Sequence, residues 1–195
     1  MIKRNISVPN LGSPSMGIVR YLASQHRVNN AYDNDLIDLY YDSTGNSERN
    51  IRTIFSIING DWWGTNSSTE HWITIDFLSF RVSVSSYRTS CSPKHYHRKW
   101  YIFSSNDNIT WTMIHNVSLE NEPKKNMNDF YLDTSSYPSR FIKFYTNVQK
   151  FDGNWDLVLG YLDYFGTVTY YFNVCSMKKK EFCFLYSIFI LSLIS

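Results

Sequence analysis

Cysteine is scarce in this chain. Cys91, Cys175 and Cys183 are the three among 195 residues. They cannot all pair with one another and none belongs to a Cys-x-x-Cys unit, so the spacing supports neither a disulfide framework nor a zinc site. Glycine is thin too, eight residues against fifteen Tyr and six Trp, and none of it forms a phosphate-cradling loop. A concentrated basic face is also missing: the net charge is +2, which removes the electrostatic argument for nucleic-acid binding. No apolar stretch follows the basic start MIKRNISVPN, so a cleaved signal peptide is not expected, and an intracellular, cytoplasmic setting is the default. The sequons at Asn5, Asn66, Asn108 and Asn116 would matter only in a secreted chain. No nucleophile elbow, no His-Glu-x-x-His and no matched Cys/His pattern occurs, so the chain does not read as an enzyme and no cofactor is implied.

What is present is β-branched and aromatic. From His71 to Trp111 the chain runs HWITIDF, RVSVSSY, a polar loop SCSPKHYH, then RKWYIFSSNDNITW. These short runs are bounded by Ser, Asn, Asp or Pro, the local signature of strands. The SSNDN segment can reverse the chain tightly, since Asn and Asp tolerate positive φ, and it predicts a hairpin between Tyr101–Phe103 and Thr110–Ile114. Further strands are expected in LIDLYY (36–41), NDFYLD (128–133), RFIKFYTN (140–147) and LVLGYLDYFGTV (157–168). Ile51, Ile54, Phe55 and Ile58 have helical spacing in a run too short for more than a turn. Strands at this spacing, without crossover helices, predict an all-β antiparallel sandwich or jelly roll. Residues 1–16 read as a leader or linker. Residues 17–168 form the domain. Residues 169–195 are an extension in which Lys178–Lys180 precede an apolar tail, shorter than the roughly 20 residues of a spanning helix. That tail leaves open a marginal membrane anchor, a buried extension or an unconstrained segment.

The motifs GDWWGTNSSTEHWITIDF, VSVSSYRTS, RKWYIFSSNDNITW, SRFIKFYTN and LVLGYLDYFGTV, in this order, resemble the discoidin family, the coagulation factor five/eight type C domain of the galactose-binding-like superfamily. The paired terminal cysteines of secreted members are missing, so the chain resembles the intracellular members found in protists and animals. Asp163 stands where the family often has Glu. The resemblance implies a non-catalytic binding module whose ligand loops sit at one end of the sandwich. By position these are residues 42–47, 60–66 and 90–97.

Within those loops Trp62 and Trp63 stand beside Asp61 and Asn66, so that one ring could stack on a sugar face or an apolar partner while the other plugs the sandwich. The candidate ligand residues are Asp42, Asn46, Trp62, Asn66, Arg88, His95 and His97. His95 and His97 would share one face of a strand, but with no third ligand in view they are read as hydrogen-bonding groups rather than a metal site. Asp33 and Asp35 lack the spacing of a full calcium loop. Asp76, on the strand face opposite Ile73, Ile75 and Phe77, is expected to pair with Arg81 or Arg140. The expected partner is a carbohydrate or a protein. The alternatives are a membrane-surface role through the loop aromatics and the tail, or an adaptor piece with no ligand of its own.

Overall fold

The computed structural model describes residues 2–11, 16–42, 51–55, 62–66, 68–91, 95–123 and 127–172. In chain order its elements are β1 (Ile2–Val8), α1 (Ile18–Gln25), β2 (Asp38–Tyr41), β3 (Trp63–Gly64), β4 (His71–Asp76), β5 (Phe80–Ser90), β6 (Lys99–Ser105), β7 (Thr112–Ser118), β8 (Met127–Tyr131), β9 (Phe141–Thr146), β10 (Val158–Leu159) and β11 (Tyr161–Phe172). Short 3-10 turns cover Tyr32–Asn34 and Ile51–Phe55. Two antiparallel sheets face one another, in the orders β1-β11-β5-β8 and β2-β4-β9-β6-β7, and β3 pairs with β10 at one end.

Alternation explains why the sheets stack. In β4 and β9, Ile73 opposes Phe144 and Ile75 opposes Ile142, and all four side chains are buried in one core with Val82, Val84, Tyr87, Trp100, Ile102 and Tyr164. A buried polar chain joins the sheets: Trp100 Nε1 donates to the Tyr87 hydroxyl at 2.8 Å, and that hydroxyl lies 3.0 Å from His115 Nδ1. Such a chain can sit in an apolar core because its members satisfy one another. The predicted hairpin forms between β6 and β7, with an irregular register between Ile102 and Phe103. Asp76 is held by Arg140 in a two-pronged pair, Nε to Oδ1 at 2.7 Å and a terminal nitrogen to Oδ2 at 2.8 Å.

Three features depart from the sequence reading. The first is the stretch taken as a leader. Residues 2–8 are the edge strand of the four-stranded sheet, paired with β11 from Ile2↔Phe172 to Val8↔Gly166. The stretch lacks an apolar period because an edge strand beside solvent needs backbone partners more than a buried face. The second is α1, which lies against β11 and whose N-terminus points at Asp163. That carboxylate accepts from the amides of Val19 at 3.0 Å and Arg20 at 3.4 Å, and from Tyr164 at 2.8 Å. Burial pushes the Asp163 carboxyl up to about 6 although those three amides pull it down.

The third is a bulge. The β5–β11 register slips between Phe165 and Gly166, and one extra residue reverses which face each later side chain takes. Gly166 has φ +147°, and a Cβ there would lie 2.0 Å from the Ser83 carbonyl, so only glycine fits. Val82 and Val84 point into the core before the slip; Tyr87 does so after it. Arg88 is consequently turned to the opposite face.

Candidate functional site

The loop end of the sandwich is built from where strands begin and stop. Asp42 follows β2, His71 opens β4, and residues 62–66 run into and out of β3. His71 links them: Nδ1 lies 2.8 Å from both Asp42 Oδ2 and Thr65 Oγ1, and Nε2 lies 3.0 Å from the Ser68 carbonyl. Thr65 also exchanges bonds with Leu157. Its amide donates to the Leu157 carbonyl and its hydroxyl accepts from the Leu157 amide, both at 3.0 Å. These bonds carry the β3–β10 ladder one step outward.

A further segment, residues 147–157, closes the same end. Its centre is Lys150, whose side chain is fully buried. An isolated ammonium would be expelled from such a site. Here it meets Asp156 Oδ1 at 2.9 Å, Asp152 Oδ2 at 3.4 Å and His95 Nδ1 at 3.1 Å. His95 Nδ1 is also 3.0 Å from Asp152 Oδ2. The ring therefore accepts from the lysine in one tautomer and donates to the carboxylate in the other. Burial alone would raise the Asp152 carboxyl, but the Asn154 amide and the Lys150 ammonium hold it below its ordinary range. The backbone adds a His97–Lys150 bridge and a bond from the Phe151 amide to the Tyr96 carbonyl at 3.1 Å.

The predicted residues divide. Asp42, Trp62, Asn66, His95 and His97 come to this one end. Asn46 lies outside the described residues. Arg88 is not in the loop cluster. It is 1 % exposed, pairs with Asp129 at 2.7 and 3.1 Å, and donates to Asn10 at 3.2 Å. The bulge that turned it out of the core placed it beneath the N-terminal segment. His97 belongs to the right end but faces inward, 2 % exposed. Burial first, and the Lys150 ammonium second, push its imidazole down to about 4. Its Nε2 accepts from the Val158 amide at 3.3 Å, which leaves the proton on Nδ1. Both Arg88 and His97 are buried side chains here rather than loop-surface groups.

Of the two tryptophans, Trp63 plugs the sandwich, 2 % exposed and edge-on to Tyr41 at 5.4 Å, while Trp62 is half-buried. Asp42 and His71 act as supports. The surface of this end is supplied by Trp62, exposed Asn66, His95 with 38 % of its side chain exposed, and the 147–157 segment with exposed Asp152 and Asn154 and half-buried Trp155. Sequence reasoning passed over that last segment. Its signal was FDGNWD, the same Trp, Asn, Asp and Gly chemistry as GDWWGTN. Two clefts lie elsewhere, one of about 340 Å³ beside α1 and one of about 430 Å³ between the β6–β7 turn and residues 134–139. Among the described residues no group of three or more His, Cys, Asp or Glu side chains is arranged to hold a metal, and no helix is long and apolar enough to cross a membrane.

No protein-family model matches the chain, and no curated protein matches it. Solved structures do. A chitosan-binding module from a chitosanase/glucanase of Paenibacillus sp. IK-5, in complex with chitotriose, is 15% identical, with 67% of this chain and 97% of that one covered at a TM-score of 0.55. A Clostridium perfringens module in complex with GalNAc-β-1,3-galactose is 10% identical, covering 67% and 96% at 0.53. The family 32 carbohydrate-binding module of C. perfringens NanJ, in complex with galactose, is 14% identical, covering 69% and 94% at 0.51. At these identities the likeness is one of fold, an antiparallel β-sandwich of the discoidin-like jelly-roll kind.

Proposed function

We propose that this discoidin-type sandwich is a non-catalytic carbohydrate-binding module that takes sugar at its loop end. The observation that carries the reading is the stitching of residues 62–66, 95–97 and 147–157 into one surface around His71 and Lys150. The neighbours in complex with galactose, GalNAc-β-1,3-galactose and chitotriose supply the ligand class. Trp62 and Trp155 offer apolar faces for the C–H side of a pyranose ring. Asn66, His95 and Asn154 offer donors and acceptors that fix hydroxyl orientation. Lys150 contributes from inside by holding the segment that carries Asn154 and Trp155. Binding without turnover needs nothing more than this rigid arrangement.

The reducing, intracellular setting stays part of this reading. The Cys91 thiol is buried and pushed up to about 12 by that burial, as suits an inert packing residue rather than a reactive one. Cell fractionation with an antibody to the full chain tests it, and recovery in the medium would overturn it.

Titration of the full chain with galactose and with chitotriose by calorimetry tests the site. Saturable binding to at least one is expected, weakened about tenfold or more, one stacking contact's worth, by Trp62→Ala or Trp155→Ala. Binding that survives both substitutions unchanged would sink the loop assignment, and no binding to any glycan on an array would sink the class.

A further inference from the structure

α1 lies against β11 of the four-stranded sheet. No described helix packs along the outer face of the five-stranded one. On that uncovered face the pleat brings aromatic rings into rows. Trp72 of β4 stands opposite Tyr145 of β9, which stands opposite Tyr101 of β6. Two residues along, Phe103 stands opposite Lys143. The Tyr101, Phe103 and Tyr145 rings lie 6.1 Å apart pairwise. All of these side chains are half-buried rather than hidden.

Cross-strand pairing accounts for rings packing on rings. It does not account for the two cations. Lys143 Nζ sits 3.7 Å from the centre of the Trp111 ring and 5.4 Å from that of Trp72, and Lys99 Nζ sits 5.2 Å from the centre of Tyr101. Among the described residues neither ammonium is paired with a carboxylate. Asp76, on the same face, is already held by Arg140, and Glu70 engages the Tyr145 hydroxyl at the border. Burial pulls the Lys143 ammonium below its ordinary range, the mark of a cation that has lost water without gaining a counter-charge.

We propose that this face is a second ligand surface, an aromatic platform for an acidic polysaccharide whose sugar rings lie on Trp72, Tyr145 and Tyr101 and whose carboxylates meet Lys143 and Lys99. Length supports a chain rather than a single sugar. The two lysines are four residues apart along paired strands, about 13 Å at the usual strand rise. Charge separates it from a nucleic acid. A backbone with a phosphate at every nucleotide calls for a continuous cationic track, and this face offers two cations with Glu70 at its edge. The surface is distinct from the loop end, and neither site needs the other.

Affinity electrophoresis of the full chain through native gels containing polygalacturonate, or a neutral galactan of similar length, tests the platform. Retardation is expected in polygalacturonate, less so at higher salt, and any retardation in the neutral gel, being due to the loop end, should be indifferent to Lys143→Gln. Lys143→Gln and Tyr101→Ala should each weaken the retardation in polygalacturonate about tenfold, a single contact's worth. Trp62→Ala, which reports on the loop end, should leave it unchanged. Lys143→Gln removes the charge while keeping a side chain of similar reach, and an unchanged thermal melt confirms that it is folded. Absence of retardation in polygalacturonate, or retardation there that is indifferent to Lys143→Gln, would overturn the proposal. Tighter binding to oligothymidylate than to polygalacturonate at equal salt would also overturn it, in favour of a nucleic-acid surface. Loss of retardation with Trp62→Ala alone would assign the acidic ligand to the loops.

Discussion

Two buried residues make opposite demands on pH. Asp163, raised to about 6, favours the folded state while protonated, so its contribution is fully present below the ordinary carboxylate value and lost as pH rises through about 6. His97, lowered to about 4, favours the folded state while neutral, so its contribution is present above the ordinary imidazole value and lost as pH falls through about 4. Each shift corresponds to something on the order of 3 kcal/mol, and over pH 4 to 6.5 the two nearly cancel. Asp163→Asn should therefore make stability fall more steeply on acidification than in the wild type, and His97→Asn should make it fall less steeply or rise. Urea melts at pH 4, 5 and 6.5 give the comparison; parallel profiles for all three proteins would refute it. The sequence presented His97 as a surface ligand because a His-Tyr-His run in a polar loop looks exposed. Burial by residues 150–158, distant in the chain, decided otherwise.

Among the elements, the 147–157 segment shows what a single buried cation can organise. Lys150 collects Asp152, Asp156 and His95, none of which is held by a helix or a long strand. Lys150→Met keeps the apolar stem and removes the charge, leaving two carboxylates facing each other without a cation. Amide exchange in residues 150–157 is expected to rise at least about tenfold, while β4, β6 and β9 keep their protection, since local opening need not involve the sheets. Sugar binding at the loop end should weaken in parallel. Unchanged exchange would mean that the backbone bonds from the Phe151 and Lys150 amides to the Tyr96 and Asn154 carbonyls hold the segment unaided. Strand spacing in the sequence located β4, β6, β7 and β9 to within a few residues, but the bulge at Gly166 was invisible to it. Period-two counting from Val82 and Val84 continues to Ser86 and Arg88, whereas the register slip sends Tyr87 inward and Arg88 out.

For the whole molecule, the closing strand pair joins the chain's beginning to its last described residues. β1 covers one edge of β11 through seven register pairs, and without it β11 would present an open edge in a sheet otherwise completed by β5 and β8. Removing residues 1–9 should lower the melting temperature and produce concentration-dependent oligomers, read by calorimetry and size-exclusion chromatography. A monomer with an unshifted melt would restore the leader reading. Residues 173–195, with the Lys178–Lys180 cluster and the apolar run, lie outside the described residues.

The amino-acid sequence by itself determined the class of this protein. Period-two runs such as WITIDF and RFIKFYTN can bury only one face, turn residues separate them at short intervals, and sheets of this kind are driven to pack on each other; a local pattern therefore suffices for an all-β sandwich. It also determined the Asp76–Arg140 pair to within two candidate arginines, because a carboxylate on a strand face must find a nearby cation. Only the tertiary structure decided which side chains reach solvent at the loop end, that Arg88 and His97 are interior, that residues 147–157 close that same end, and that one sheet carries an uncovered row of rings with two lysines. Those properties depend on register and on neighbours distant along the chain, and a bulge of one residue is enough to invert them.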